Sequence, residues 1–174
     1  DSSAFVSGCT FSGNTATQNG GAMVNYGWAC ATTVMNSIFN GNKAGGDGTK
    51  YYGGAIYNYT STPSYYNCTF YNNQAGNGGA TASFDSALPF YKDCIMWADT
   101  GGVYYDDFAE TAIMYSCVQG GNPGTGNIST DARPRYPATI AQGLRPTGIN
   151  IRIPASWPMS YVRPAFGVGG LGGG

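Results

Sequence analysis

Short apolar runs of three or four residues, each closed by a turn signal, recur along this chain in a fixed order. Cys9-Thr10-Phe11 is followed by Ser12-Gly13-Asn14 and, after a gap, by Gly20-Gly21-Ala22. Ser37-Ile38-Phe39 leads in the same way to Asn40-Gly41-Asn42 and Gly53-Gly54-Ala55. Cys68-Thr69-Phe70 leads to Tyr71-Asn72-Asn73 and Gly78-Gly79-Ala80. Weaker copies follow, Cys94-Ile95-Met96-Trp97 with Gly101-Gly102 and Cys117-Val118-Gln119 with Gly120-Gly121. With the cysteine position as marker, Ser37 filling it in the second copy, the steps are 28, 31, 26 and 23 residues. No 3.6-residue apolar periodicity runs through the copies, and Gly and Asn interrupt them too often for helices.

A repeat of this length built from short strands and glycine turns predicts an all-β fold. It is a right-handed parallel β-helix, a β-solenoid, of about 4–5 coils. Equivalent strands then lie about 4.8 Å apart in successive coils, and equivalent side chains form columns. Phe11, Phe39 and Phe70 form an aromatic column, and Asn14, Asn42 and Asn73 an amide ladder. Cys9, Ser37, Cys68, Cys94 and Cys117 form an inward column of small side chains, read as unpaired thiols. A Cys68–Cys94 bridge is sterically conceivable there. The Gly-Gly-Ala step lets the chain bend where a Cβ would clash, and strands are expected at Ala22–Tyr26, Ala55–Tyr59 and Ala80–Phe84. A further set is expected at Ala31–Met35, Ser64–Asn67 and Phe90–Lys92. The repeat domain spans 1–131. From Ala132 onward the phrase is lost and six prolines intervene, so 132–174 reads as an irregular Pro/Arg/Gly-rich extension with one edge strand at Gly148–Ile153.

Composition sharpens this picture. Of 174 residues 28 are Gly and 14 are Tyr, while only 10% are charged, which suits strands and turns with an uncharged polar surface. The chain is one domain in length, and no apolar run is long enough to span a membrane. It opens on Asp1 with no leader, as a processed chain or a fragment would. The net charge of −1 conceals a split: residues 1–130 hold eight acids against three lysines, and 131–174 hold five arginines against one acid. An acidic body with an arginine-bearing tail favours copies of itself and disfavours nucleic acid as a partner. Arg133, Arg135, Arg145, Arg152, Arg163 and Trp157 are the candidate assembly residues.

The G-G-A-[IMT] and F-x-[GN]-N phrases resemble the repeats of polymorphic outer-membrane-protein passenger domains. They also resemble the β-helix repeats of secreted bacterial proteins with a "choice-of-anchor" C-terminus, in the pectate-lyase-like superfamily. The stretch Ser116–Asp131 is similar to the last coil of that second group, although Asp131-Ala132-Arg133-Pro134 stands where the group has an Asp-Pro-Leu-Phe-like phrase. The resemblance covers residues 7–131 and implies the fold strongly and the activity weakly.

Polysaccharide-cleaving members of such a superfamily need paired carboxylates, and the only acidic cluster is Asp106-Asp107 with Asp99 and Glu110 nearby. The histidine and Arg-x-Lys phrase that the resemblance would require of a polygalacturonase are absent. So is any arginine before Arg133 for a lyase. No catalytic residues are assigned. No cofactor or metal is expected either, since there is no His, no C-x-x-C pair and no Asp-rich calcium loop. Tyr51, Tyr52, Tyr57, Tyr104 and Tyr105 are candidates for stacking on glycans. Asn58, Asn67 and Asn127 open N-x-[ST] sequons and are candidate glycosylation sites. The expected function is that of a non-catalytic extracellular or cell-surface structural protein, a self-assembling subunit of a fibre, sheath or adhesin. In it the C-terminal extension makes head-to-tail contacts. The alternative is a carbohydrate-binding or carbohydrate-cleaving β-helix.

Overall fold

The structure, a computed structural model, describes residues 3–46, 49 and 51–128, and these form a parallel β-solenoid. The first coil holds β1 (Phe5–Ser7), β2 (Thr10–Ser12), β3 (Thr15–Ala16) and β4 (Met23–Tyr26). The second holds β5 (Thr33–Met35), β6 (Ile38–Asn40), β7 (Lys43–Ala44) and β8 (Ile56–Tyr59). The third holds β9 (Ser64–Tyr66), β10 (Thr69–Tyr71) and β11 (Thr81–Phe84), and the fourth β12 (Phe90–Lys92), β13 (Ile95–Trp97) and β14 (Tyr104–Asp107). β15 (Ala112–Met114) and β16 (Cys117–Val118) begin a fifth. Three parallel sheets run the length of the stack: β1-β5-β9-β12-β15, β2-β6-β10-β13-β16 and β4-β8-β11-β14. A small β3-β7 pair covers one corner. The six strands predicted within the described residues are present, Phe90–Lys92 unchanged and the other five shorter by a residue or two.

The strands are short because each corner of the coil needs a residue with positive φ. Gly8, Asn36, Asn67, Asp93 and Tyr115 stack as one such corner, with φ between 48° and 66°. Asn and Asp tolerate this conformation because their side chains bond locally, whereas Tyr115 is held there by its neighbours above and below. The Gly-Gly step forms another corner, and its two glycines serve different ends. Gly53 supplies φ 68°, while at Gly54 a Cβ would run into the Gly79 carbonyl and the Gln74 backbone of the next coil. One glycine turns the chain and the second lets the coils touch.

The core is a set of columns. Val34, Tyr65, Tyr91 and Ile113 fill one side of the interior, and Phe39, Phe70, Met96 and Val118 fill another. The Phe11–Phe39 and Phe39–Phe70 ring centroids are 4.7 and 4.9 Å apart, with the planes 4° from parallel in both pairs. That separation is the strand spacing itself, so backbone pairing and ring stacking reinforce each other. Among the described residues the first coil has a neighbour on one side only, and its inward residues Val6, Phe11 and Met23 are half-buried where their counterparts in the next coil are fully buried.

Candidate functional site

Three polar ladders and one aromatic face hold the residues with any chemistry. In the first ladder Asn14 Nδ2 donates to Asn42 Oδ1 at 2.9 Å, and Asn42 Nδ2 donates to Asn73 Oδ1 at 2.9 Å. Asn42 and Asn73 also donate to the carbonyls of Phe11 and Phe39 one coil back. The next rung is a carboxylate. Asp99 Oδ1 accepts from both the backbone N–H and Nδ2 of Asn73, at 2.8 and 2.9 Å. Its other oxygen, Oδ2, is shut away from solvent without a hydrogen-bond partner. Burial pushes the Asp99 carboxyl up to about 7, against the pull of the two Asn73 hydrogen bonds.

The second ladder is the cysteine column, and here one expectation is corrected. Ile95 pairs with Cys117, so the residue that continues Cys9, Ser37, Cys68 and Cys94 is Ser116, not Cys117. The last step is therefore one residue shorter than the cysteine spacing suggested. Ser and Cys interchange here because both make the same bond. Ser37 and Ser116 donate to the carbonyls of Met35 and Met114, and the Cys9, Cys68 and Cys94 thiols donate to those of Ser7, Tyr66 and Lys92. Burial, with Cys68 beside it, pushes the Cys94 thiol well above its ordinary range. Cys94 is a thiol in the structure, as is Cys68. Cys117 lies one position on, stacked between Ile95 and Ile128.

The third ladder was not anticipated. Asn25, Asn58, Ser83 and Asp106 share one register on the interior face of the third sheet. Asn25 Nδ2 donates to Asn58 Oδ1 at 2.9 Å and to the Tyr65 hydroxyl at 2.8 Å, and Tyr91 donates to Thr81 at 2.7 Å. The signal was present in the sequence as the third residue after each Gly-Gly-Ala, which is Asn, Asn and then Ser. Asp106 ends this ladder, with its two oxygens accepting from the Thr111 hydroxyl and backbone N–H at 2.6 and 3.1 Å. Asp107, the next residue on the same strand, faces outward with the period of two. The two aspartates thus lie on opposite faces and cannot flank one scissile bond. Among the described residues no group of His, Cys, Asp and Glu could hold a metal ion.

The outward face of the third sheet gathers the aromatics. Tyr26 and Tyr59 stack at 4.9 Å and 8°, and their column continues through Phe84 to Asp107. Tyr52, Tyr57 and Tyr105 cluster around Phe84 at 4.8, 5.4 and 5.7 Å. Of the five tyrosines expected to meet glycans, these three come together. Tyr104 is corrected: it turns inward and packs against the core. Tyr51 is exposed, away from the ring contacts of the cluster, with φ 63°. Tyr26 and Phe84 were missed because strand phase is fixed only by the neighbouring coil. The neighbouring Asp85 carboxylate raises the pKa of the Tyr59 hydroxyl.

The sequons fare unevenly. Asn58 is fully buried within the interior ladder and cannot carry a glycan in this fold, which corrects that expectation. Asn67 donates to Asn36 across coils, and the Asn127 amide is tied to the Ile113 carbonyl at 2.7 Å. Arg133, Arg135, Arg145, Arg152, Arg163, Trp157 and the edge strand Gly148–Ile153 lie outside the described residues. No helix among the described residues is long and apolar enough to cross a membrane.

No curated protein and no solved structure matches the chain. A family model does match, over three stretches that each begin at or near a corner residue with positive φ (Gly8, Asn36, Asn67) and run through or beyond a Gly-Gly-Ala step. Residues 8–22, 36–59 and 67–83 match the Chlamydia polymorphic membrane protein repeat, and the parallel solenoid that carries them fits the β-helix passenger repeats of polymorphic outer-membrane proteins.

Proposed function

We propose that the chain is a non-catalytic structural module of a surface-exposed protein, and that it joins copies of itself head to tail through its C-terminal extension. The supporting observation is the state of the first coil. Among the described residues its strands β1, β2 and β4 each end a sheet, so one side of each backbone has no strand partner there. Phe5, Tyr26 and Trp28 on the same coil are 68%, 70% and 74% exposed. An open sheet edge beside apolar side chains is a template for strand addition. A contact between one end of a copy and the other end of the next does not close, so it extends into filaments. Sedimentation velocity over a wide concentration range tests this reading. Growth of polymers with concentration, lost on deletion of residues 132–174, is expected; a species that stays monomeric throughout overturns it.

A second reading rests on a separate observation, the Tyr52, Tyr57 and Tyr105 cluster around Phe84. Aromatic rings grouped on a flat parallel sheet offer stacking surfaces for sugar rings. Retention on a neutral polysaccharide gel, abolished by Tyr57→Ala with Tyr105→Ala, is the expected result under that reading.

A further inference from the structure

The outward face of the third sheet is aromatic and anionic at once. Tyr26 and Tyr59 present a parallel pair of rings at its first-coil end, beside Val24, which is 52% exposed. Asp85 adjoins them at the corner, near enough for its carboxylate to raise the Tyr59 pKa, and Asp107 ends the same column. The two described lysines, Lys43 and Lys92, belong to β7 and β12 and so to other sheets. The face therefore holds carboxylates and π-faces without a cation of its own sheet among the described residues.

A planar guanidinium matches this combination better than any other protein group. It stacks on an aromatic face and donates in a fork to a carboxylate, and it is more weakly hydrated than an ammonium. The chain supplies five such groups after residue 131 and none before it. The charge split, eight acids against three lysines over 1–130 and five arginines against one acid over 131–174, is complementary in sign. The face also borders the open coil on which the head-to-tail reading rests.

We propose that arginines of the 132–174 segment of one copy dock on the Tyr26, Tyr59 and Asp85 face of the next. This rests on the head-to-tail reading and names its surface. The guanidinium lies against the tyrosine rings and donates to the Asp85 carboxylate, so the contact weakens as salt rises.

The test uses the full chain, with Tyr26→Ser and Asp85→Asn combined. Both positions are exposed, and unchanged amide protection of β8 and β11 reports that the variant is folded. Hydrogen exchange over 132–174 and sedimentation are read together. The expected result is at least tenfold faster exchange of that segment in the variant, with a shift from polymers to monomers. Polymers that persist in the variant with unchanged protection overturn the assignment of this face while leaving the head-to-tail reading intact. Protection that the variant abolishes in a species monomeric at every concentration supports the face but ends the head-to-tail reading, the segment then docking on its own copy. A tail unprotected in the native chain, together with retention on a neutral polysaccharide gel that the variant loses, overturns the proposal in favour of a sugar occupant.

Discussion

Asp99 is the residue whose chemistry differs most from its repeat equivalents. Asn42 and Asn73 use Nδ2 to bond a phenylalanine carbonyl of the preceding coil, and Asp99 in that register has a bare oxygen instead. Shut away from water, that carboxylate is costly to ionise, and this burial holds the proton against the pull of the Asn73 hydrogen bonds. The folded pKa of about 7 lies above the ordinary 3.8, so the folded state binds the proton more strongly than the unfolded chain. Stability is therefore greatest below about pH 4, falls as pH rises through 7, and is level above that. The total loss is on the order of a few kcal/mol. Asp99→Asn restores the amide donor and should be more stable than the native chain at pH 8, with a much flatter profile. Urea unfolding at pH 4.5, 6, 7.5 and 8.5 measures this, and a parallel pair of profiles would refute it. At the same scale, Phe39→Ala removes a ring packed between two others and should cost about 3–5 kcal/mol. Phe11→Ala, at the half-buried end of that column, should cost clearly less.

Between the strands, the two glycine corners predict different sensitivities. Gly41 has φ 65° with open space where a Cβ would stand, so Gly41→Ala meets only backbone strain, about 1 kcal/mol. Gly54 has no such freedom, because its Cβ would enter the backbone of the next coil. Gly54→Ala should cost several times as much as Gly41→Ala, and thermal unfolding of the two variants side by side checks the order. Equal effects would mean that the coils separate readily at that corner. The same corners show why element type was readable and phase was not. Phe-x-x-Asn and Gly-Gly-Ala mark where strands start and stop, because φ and Cβ space are local demands. Whether Tyr104 or Tyr105 faces outward depends on which residue sits above it, and β14 is set by β11.

Across the whole molecule, a stack of coils with nearest-neighbour contacts should open from its ends. Amide exchange is expected to be slowest in β6, β8, β9, β10 and β11 and fastest in β1, β2 and β4, whose strands pair on one side. Protection of the first coil equal to that of the third, in dilute protein where copies are apart, would contradict this. The asymmetry of the columns points the same way, since the apolar interior side chains Val6, Phe11 and Met23 of the first coil are half-buried. The sequence by itself determined the class of fold, the strands, the phenylalanine column and the asparagine ladder, because each recurs at fixed spacing and stacking turns spacing directly into contact. Only the tertiary structure decided that Ser116 and not Cys117 continues the cysteine column, that Asp106 and Asp107 part to opposite faces, and that Tyr26 and Tyr59 meet outside. Those outcomes turn on single-residue register between coils of unequal length, which is settled by packing against the coil above and below and leaves no trace in any one repeat.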